Sequence, residues 1–405
     1  MRYNSHMPNS TVSVPSPTPR VMIIRNAFVY DFGGGERFPV DLAVELRKLG
    51  FETTVVSRSR QLLSYAAAHD IPRIRGWWWR RQNWSGPSVL LFPVYLVWQL
   101  VLTLWYLQLI ARVQPDTVHP QSKDDFIAAT LAGRMLGKRV VWTDHADLKY
   151  VYQNHAVWYK NPVGKLVFAI SRLAHAVTLV SQSEADLIGR ALAPRALLAH
   201  YQVVYNGVTD TVVTPHKRAK DDRESFIFCA TSRLVTAKGI GELLTAFQSL
   251  QAIHKDVRLW LVGDGPEAKT FQQHAGNVAN IHFIGHQDKP LPYVAAADVF
   301  VHPSYHEGFS ISLVEAAMLA KPIIACKVGG NPEIVVNNHT GLLVQPRDSQ
   351  ALFEAMQSLY ENRSLAKQLA QNARKSYQAS FQFDTIVAKQ FVPLYISTGP
   401  TGERS

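Results

Sequence analysis

Short apolar runs alternate with longer stretches of helical periodicity along almost the whole chain, and they do so in two series. The first series falls at residues 21–25, 53–57, 116–119, 139–143, 176–181 and 203–205; the second falls at 226–231, 258–262, 281–284, 299–302, 323–326 and 342–344. Apolar strands separated by helices call for crossover connections, which make parallel sheets covered by helices on their faces. Twelve strands in two series therefore predict an α/β chain with two Rossmann-like, doubly wound parallel-sheet domains. The length of 405 residues suits two domains of ordinary size. The reading places the first domain at 21–208, a linker at the polar stretch 209–224, the second domain at 225–378, and a helix at 379–396 that crosses back to the first domain. Residues 1–20 are rich in Pro, Ser, Thr and Asn and lack an apolar core, so they read as a disordered tail and not a signal peptide. Residues 397–405 read as a second loose tail.

Charge is divided unevenly between the halves. Residues 1–205 carry 23 Lys and Arg against 13 Asp and Glu, whereas residues 206–405 carry 19 against 18. Eight of the nine tryptophans also lie in the first half. The two cysteines, Cys229 and Cys326, each sit inside an apolar run without metal-ligand spacing, which argues for buried thiols in a reducing compartment.

Residues 89–113 are almost wholly apolar and long enough to cross a bilayer. A crossing would separate the first two strands from the rest of their own sheet, so it is rejected. A helix buried in the first domain is the default expectation, and a helix partly sunk in a membrane surface is the alternative. Arginines and tryptophans crowd the stretch before it: Arg75, Trp77, Trp78, Trp79, Arg80, Arg81 and Trp84. Tryptophan sits well at a headgroup layer and arginine pairs with anionic lipid, so the segment 58–113 is read as membrane-facing. The same residue types hold single-stranded nucleic acid. No nucleic-acid motif accompanies them and the long apolar run has no use there, so nucleic acid is not expected as a partner.

Chemistry concentrates where strands end and helices begin, which is where open α/β sheets bind ligands. The run His306-Glu307-Gly308-Phe309-Ser310-Ile311-Ser312-Leu313-Val314-Glu315 follows the strand-like 299–302 and sets two carboxylates eight residues apart. Ser312 and Glu315 also have the spacing of a capping box, so Glu315 could simply close a helix start. Arg233 and Lys238 follow the strand-like 226–231 and bring two cations to a place where a diphosphate would need neutralising. Gly263 and Asp264 lie in a Gly-Asp-Gly-Pro turn after another strand. Gly34 and Gly35 lie between the first strand and first helix, but without dinucleotide-fingerprint spacing. His145 ends a strand of the first domain; alone, such a histidine is more often a satisfied polar residue than a catalyst.

Together these segments resemble the retaining glycosyltransferases of family 4, which have two Rossmann-like domains facing across a cleft (the GT-B fold). The resemblance runs from about Val21 to Tyr395 and is strongest over 298–336, where HPSxxEGFxxxxxEA and GGxxE stand in order. It implies that Glu307 binds hydroxyls of the donor sugar and Glu315 holds the nucleotide ribose. It also implies that the N–H groups of Gly308 and Phe309, leading into Ser310 and Ile311, act with Arg233 and Lys238 to stabilise the diphosphate leaving group. Gly34 and Gly35 would approach that diphosphate from the first domain, His145 would lie near the reacting sugar, and Gly263, Asp264 and Asn206 would complete the donor site. Ser310 and Ser232 stand where the family commonly has glycine.

The expected activity is a retaining transfer of a hexosyl-type sugar from a nucleotide-diphosphate sugar, with His145, Glu307, Arg233 and Lys238 as catalytic residues. No metal or other cofactor is expected, since no Asp-x-Asp signature lies near these loops. The basic, tryptophan-rich first half points to a lipid-linked saccharide or glycolipid as acceptor. The setting expected is cell-surface polysaccharide assembly by a peripheral protein on the cytoplasmic face of a membrane. The rivals are a non-catalytic subunit of the same fold, against which intact Glu307, Glu315, Arg233 and Lys238 speak, and a sugar-nucleotide epimerase, which needs no acceptor.

Overall fold

The computed structural model describes residues 18–26, 34–77, 92–145, 162–192, 200–276 and 278–396. Trp78, Trp79, Arg80, Arg81 and Trp84, and most of both expected tails, lie outside the described residues. The first sheet consists of β1 (Arg20–Ile24), β2 (Glu52–Ser57), β3 (Arg73–Arg75), β4 (Thr117–Pro120), β5 (Arg139–Asp144), β6 (Ala176–Leu179) and β7 (Tyr201–Val203). Its strand order is β3-β2-β1-β4-β5-β6-β7. The second sheet consists of β8 (Phe226–Thr231), β9 (Val257–Val262), β10 (Ile281–Gly285), β11 (Val299–His302), β12 (Ile323–Cys326) and β13 (Leu342–Val344), in the order β10-β9-β8-β11-β12-β13. In both sheets the order reverses beside the first strand, β1 against β4 and β8 against β11, and both of those pairs are parallel. These are two Rossmann-like doubly wound sheets, as the alternation of apolar runs predicts.

One strand was not foreseen. β3 reads Arg-Ile-Arg and is three residues long, so it offers almost no apolar signal. It lies at the sheet edge, where exposed charge is the usual defence against edge pairing.

The strand pattern shows why the second sheet needs cover on both faces. Along β8, Phe226, Phe228 and Ala230 join one apolar cluster, while Ile227 and Cys229 join another on the opposite face. That is the two-residue alternation of a strand buried on both sides. Burial also pushes the Cys229 thiol up to about 12, so at neutral pH it is an inert filler of the core.

By its contacts the chain forms two compact units. One comprises the chain up to Thr178, Ala199–Gln202 and the segment from Val387 onward; the other comprises Leu179–Leu198 and Val203–Ile386. The division therefore falls ahead of the stretch 209–224, which is tied into the second unit. Arg218 is paired with Asp298 at 2.8 Å and donates to the Ala296 and Ser225 carbonyls. In place of one helix over 379–396, the helix Arg363–Ser380 is followed by the short turns Phe383–Ile386, Val387–Phe391 and Val392–Tyr395.

The helix Phe92–Val113 resolves the ambiguity of its sequence by having two apolar faces. Leu102, Tyr106, Leu109 and Ile110 pack into a cluster with Met22, Ile24 and Val56 of the first sheet, Tyr95 and Gln99 are buried as well, and Tyr106 donates to the Asp125 carboxylate at 2.8 Å. Val94, Val97, Leu100 and Leu104, each more than half exposed, face outward. The expectation of a helix buried in the first domain thus holds for one face only. A crossing is excluded by topology, because β1 before the helix pairs directly with β4 after it.

Candidate active site

The second sheet reverses order between β8 and β11, so their carboxyl ends open the crevice that such sheets use for ligands. Two loops meet there. After β8, Ser232 to Lys238 ends in a single turn, Thr236–Lys238, and Gly239 then starts the helix Ile240–Ile253. After β11, residues 303–310 lead into the helix Ile311–Met318. The loops are joined by the Tyr305 N–H, which donates to the Ala237 carbonyl at 3.0 Å.

Five side chains form a network across this junction. Lys238 Nζ lies 2.5 Å from Glu307 Oε1, and His302 Nε2 lies 2.9 Å from the same oxygen. Ser310 Oγ is 3.2 Å from His302 Nε2 and 3.0 Å from Ser312 Oγ. Burial alone would push the Glu307 carboxyl up, but the Lys238 ammonium and the His302 N–H outweigh it and hold the carboxyl well below its usual range. Glu307 is therefore a fixed carboxylate with one oxygen engaged by two partners. Such a group accepts hydrogen bonds from hydroxyls and is ill-suited to shuttle protons at neutral pH.

The capping-box alternative is not realised. Ser310, not Ser312, is the cap residue of the helix Ile311–Met318, and its hydroxyl makes no capping bond to that helix. Glu315 lies half-buried inside the helix, one turn after Ile311. Phe309 is buried and stacks on Tyr205 at 5.3 Å between ring centres, next to the buried Asn206. The Gly308 carbonyl is held by the Gly330 N–H at 3.1 Å, which fixes the loop's course.

The β9 loop supports the β8 loop from behind. The Leu234 N–H donates to the Asp264 carbonyl at 3.0 Å, and Gly263 takes a left-handed φ of 138° where a Cβ would collide with the Ser232 carbonyl. Asp264 turns its carboxylate onto the Gly265 N–H at 2.7 Å. Gly263 and Asp264 thus shape the loop bearing Arg233, which is exposed at the end of β8.

The second unit accordingly gathers Arg233, Lys238, Gly263, Asp264, Glu307, Gly308, Phe309, Ser310, Ile311 and Glu315 around the β8 and β11 ends, with Asn206 beside Phe309's partner. His145 and the helix Gly34–Lys48, which Gly34 and Gly35 open, belong to the first unit. His145 follows β5, and its ring packs edge-on against Phe38 at 4.8 Å. His302 is a member of the network that the sequence reading passed over. Its signal was there, since it is the last residue of an apolar strand aimed at the crevice. Among the described residues no three His, Cys, Asp or Glu side chains are grouped to share a metal ion.

Comparison with known proteins identifies the family. The family model described as Glycosyltransferase Family 4 matches residues 32–212, and that described as Glycosyl transferases group 1 matches residues 214–376. The N-acetyl-alpha-D-glucosaminyl L-malate synthase of Bacillus anthracis is 27% identical over 322 residues, covering 76% of this chain and 81% of that protein. The capsular polysaccharide biosynthesis glycosyltransferase CapM of Staphylococcus aureus is 29% identical over 175 residues, covering 42% of this chain and 45% of that protein. The crystal structure of Anabaena Alr3699/HepE in complex with UDP superposes with a TM-score of 0.73 at 21% identity, over 92% of this chain and 98% of that chain. The fold is GT-B. The chain belongs to glycosyltransferase family 4.

Proposed function

We propose that this glycosyltransferase moves a sugar, with retention, from a nucleotide-diphosphate sugar to a lipid-linked saccharide or glycolipid, and that it does so without a metal. The observation that carries the reading is the Lys238–Glu307–His302 network at the ends of β8 and β11. Glu307 offers a carboxylate to sugar hydroxyls. Lys238 and the exposed Arg233 bring cations to where a diphosphate leaving group gathers charge, and the loop N–H groups of Gly308 and Phe309 add to them. Preorganised charge of this kind lowers the barrier without reorganising during the reaction. Two fixed cations supply the neutralisation that a divalent ion would otherwise give. Glu315, on the following helix, suits the ribose. The ionised state of Glu307 favours hydroxyl binding over a proton-shuttling role, in keeping with front-face attack by the acceptor and no covalent intermediate. The UDP in the Anabaena structure's complex and the capsular role of CapM support a nucleotide-sugar donor and a polysaccharide setting.

A melting series with UDP, GDP, ADP, TDP and CDP tests the donor half of this reading. One diphosphate should raise Tm clearly, since a ligand at 100 times its Kd stabilises the native state by about 2.7 kcal/mol. No shift with any of the five would remove the nucleotide site.

The membrane half rests on the helix Phe92–Val113. Its outward face presents Val94, Val97, Leu100 and Leu104, and Trp77 lies 5.8 Å from Trp98 of that helix, ring to ring. Arg73 and Arg75 stand exposed on β3, whose Ile74 packs into the cluster beneath the helix. An apolar stripe about 15 Å long, from Val94 to Leu104, flanked by arginines suits the interface of an anionic bilayer. The location proposed is the cytoplasmic face, as a peripheral protein. Vesicles containing phosphatidylglycerol should float the protein at low salt. Replacing Val97, Leu100 and Leu104 together with glutamate should cut recovery by about tenfold or more, since each side chain contributes on the order of 1 kcal/mol of apolar burial. Equal recovery of that variant would overturn the membrane reading.

A further inference from the structure

The second unit includes Leu179–Leu198, although the helix Gln182–Leu192 within it follows β6 of the first sheet. Glu333 ties that helix to the loops of the second sheet. It lies on the short turn Asn331–Ile334 and closes the Gly-Gly-x-x-Glu run at 329–333. Its Oε2 accepts the Gln182 N–H at 2.7 Å, and its Oε1 accepts the Ser183 N–H at 2.9 Å. The next amide of the helix, that of Glu184, donates to Ser181 Oγ at 3.2 Å. A carboxylate remote in sequence thus shares with one local hydroxyl the amides that a helix start leaves without partners, and its charge suits the positive end of the helix.

Capping alone would account for those two bonds, but the turn that carries Glu333 leads further. The Glu333 N–H donates to the Gly330 carbonyl at 3.0 Å, and the Gly330 N–H donates to the Gly308 carbonyl at 3.1 Å. A Cβ on Gly330 would run into the Gly308 carbonyl oxygen and press on Ser181 Cβ, so no side chain fits between the helix cap and Gly308. A second route runs through Tyr205. Burial, and then the charge of the neighbouring Glu333, push the Tyr205 hydroxyl up to about 12. The Tyr205 ring stacks on Phe309 at 5.3 Å and meets Phe381 edge-on at 5.7 Å, while Phe309 lies 5.8 Å from Phe381. Both routes end on Gly308 and Phe309.

We propose that Glu333 is a positioning residue for sugar transfer. By holding the turn Asn331–Ile334 against the helix Gln182–Leu192 and bearing on Tyr205, it fixes Gly308 and Phe309 so that their N–H groups are set for a diphosphate before one arrives. Donors held in place need no reorganisation at the moment of reaction. This rests on the reading of those two N–H groups as diphosphate donors. The sign of the effect separates positioning from bare charge. Removing a negative charge behind an anion site strengthens anion binding by Coulomb attraction alone, whereas loosening the loop weakens it.

Glu333→Gln keeps the shape, loses the charge and turns one acceptor into a donor that faces an amide N–H. Calorimetry on the full chain reads the outcome with the tightest binder among UDP, GDP, ADP, TDP and CDP, and with its parent nucleoside. The diphosphate should bind on the order of tenfold more weakly to the variant, the loss of about one net hydrogen bond, while the nucleoside stays within about twofold. Unchanged nucleoside binding also shows that the variant is folded. Glu333→Asp, which retains the charge, should recover part of the lost affinity. Hydrogen exchange of the ligand-free Glu333→Gln chain should quicken over residues 304–310, which a helix cap alone would not move. Diphosphate binding as tight as in the native chain, or tighter, would overturn the proposal. So would equal losses for nucleoside and diphosphate, or faster exchange confined to residues 182–186. If none of the five diphosphates binds the native chain, the nucleotide reading falls, and the exchange of 304–310 alone decides whether Glu333 holds the loop.

Discussion

Lys238→Ala is expected to lower kcat for sugar transfer by about a hundred- to a thousandfold, the range for removing one preorganised group from a developing anion. Two effects add. The variant loses the cation proposed to act on the leaving group, and it strips Glu307 of the partner that sits at 2.5 Å. Without the Lys238 ammonium, the largest influence opposing burial, the Glu307 carboxyl rises from its depressed position. The acidic limb of the pH–rate profile should therefore move to higher pH in the variant. The sign for stability follows from the same shift. A carboxyl held low in the folded chain contributes stability above the usual carboxylate range and loses it as pH falls toward the depressed value. The native chain should thus lose Tm on acidification more steeply than the variant. Lys238→Arg should restore only part of the rate, because a planar fork does not replace a compact ammonium between Glu307 and a phosphate. A Lys238→Ala enzyme within threefold of the native rate would show that the ammonium does not act on the leaving group.

Gly239→Ala should place a damaging methyl group at this site. Gly239 has φ 66°, a left-handed conformation that costs a side-chain-bearing residue about 1–3 kcal/mol. A Cβ there would also collide with the Pro303 carbonyl oxygen. The two loops that meet at the site are the ones forced apart, and the Tyr305–Ala237 hydrogen bond lies between them. Tm should fall by roughly 4 °C or more, taking 2–4 °C per kcal/mol for a domain of this size. Activity should fall further than stability explains, because the loop separation opens the Lys238–Glu307 pair. A variant with native Tm and native rate would mean that the loops yield freely.

Much of this architecture could be read from residue order. Apolar runs such as 226–231 and 299–302 carry their own strand signal, and helices between them force parallel connections. The carboxylate, glycine and cation positions were legible because each follows such a run. β3 was not legible, since three residues of alternating charge hold no pattern that a loop lacks. His302 was hidden by reading its strand only as apolar core. The helix Phe92–Val113 has apolar residues all round, so its sequence could not say which side faces the sheet. The division into units was equally out of reach at 179–198, a segment that follows β6 in sequence yet packs with the second unit.

The first unit is stitched from both ends of the chain. Tyr395 donates its hydroxyl to the buried His119, Arg139 donates to the Leu394 carbonyl, and Phe391 packs against Phe38. During synthesis, strands β1 to β5 leave the ribosome long before these partners exist. At ordinary elongation rates the wait is on the order of tens of seconds. Through that interval the strand ends around His119 stand open, while the whole second unit up to Ile386 is already available to fold. The half that is made later is the half that can finish first, and a nascent chain stalled short of Val387 would present a completed second unit and an unfinished first one.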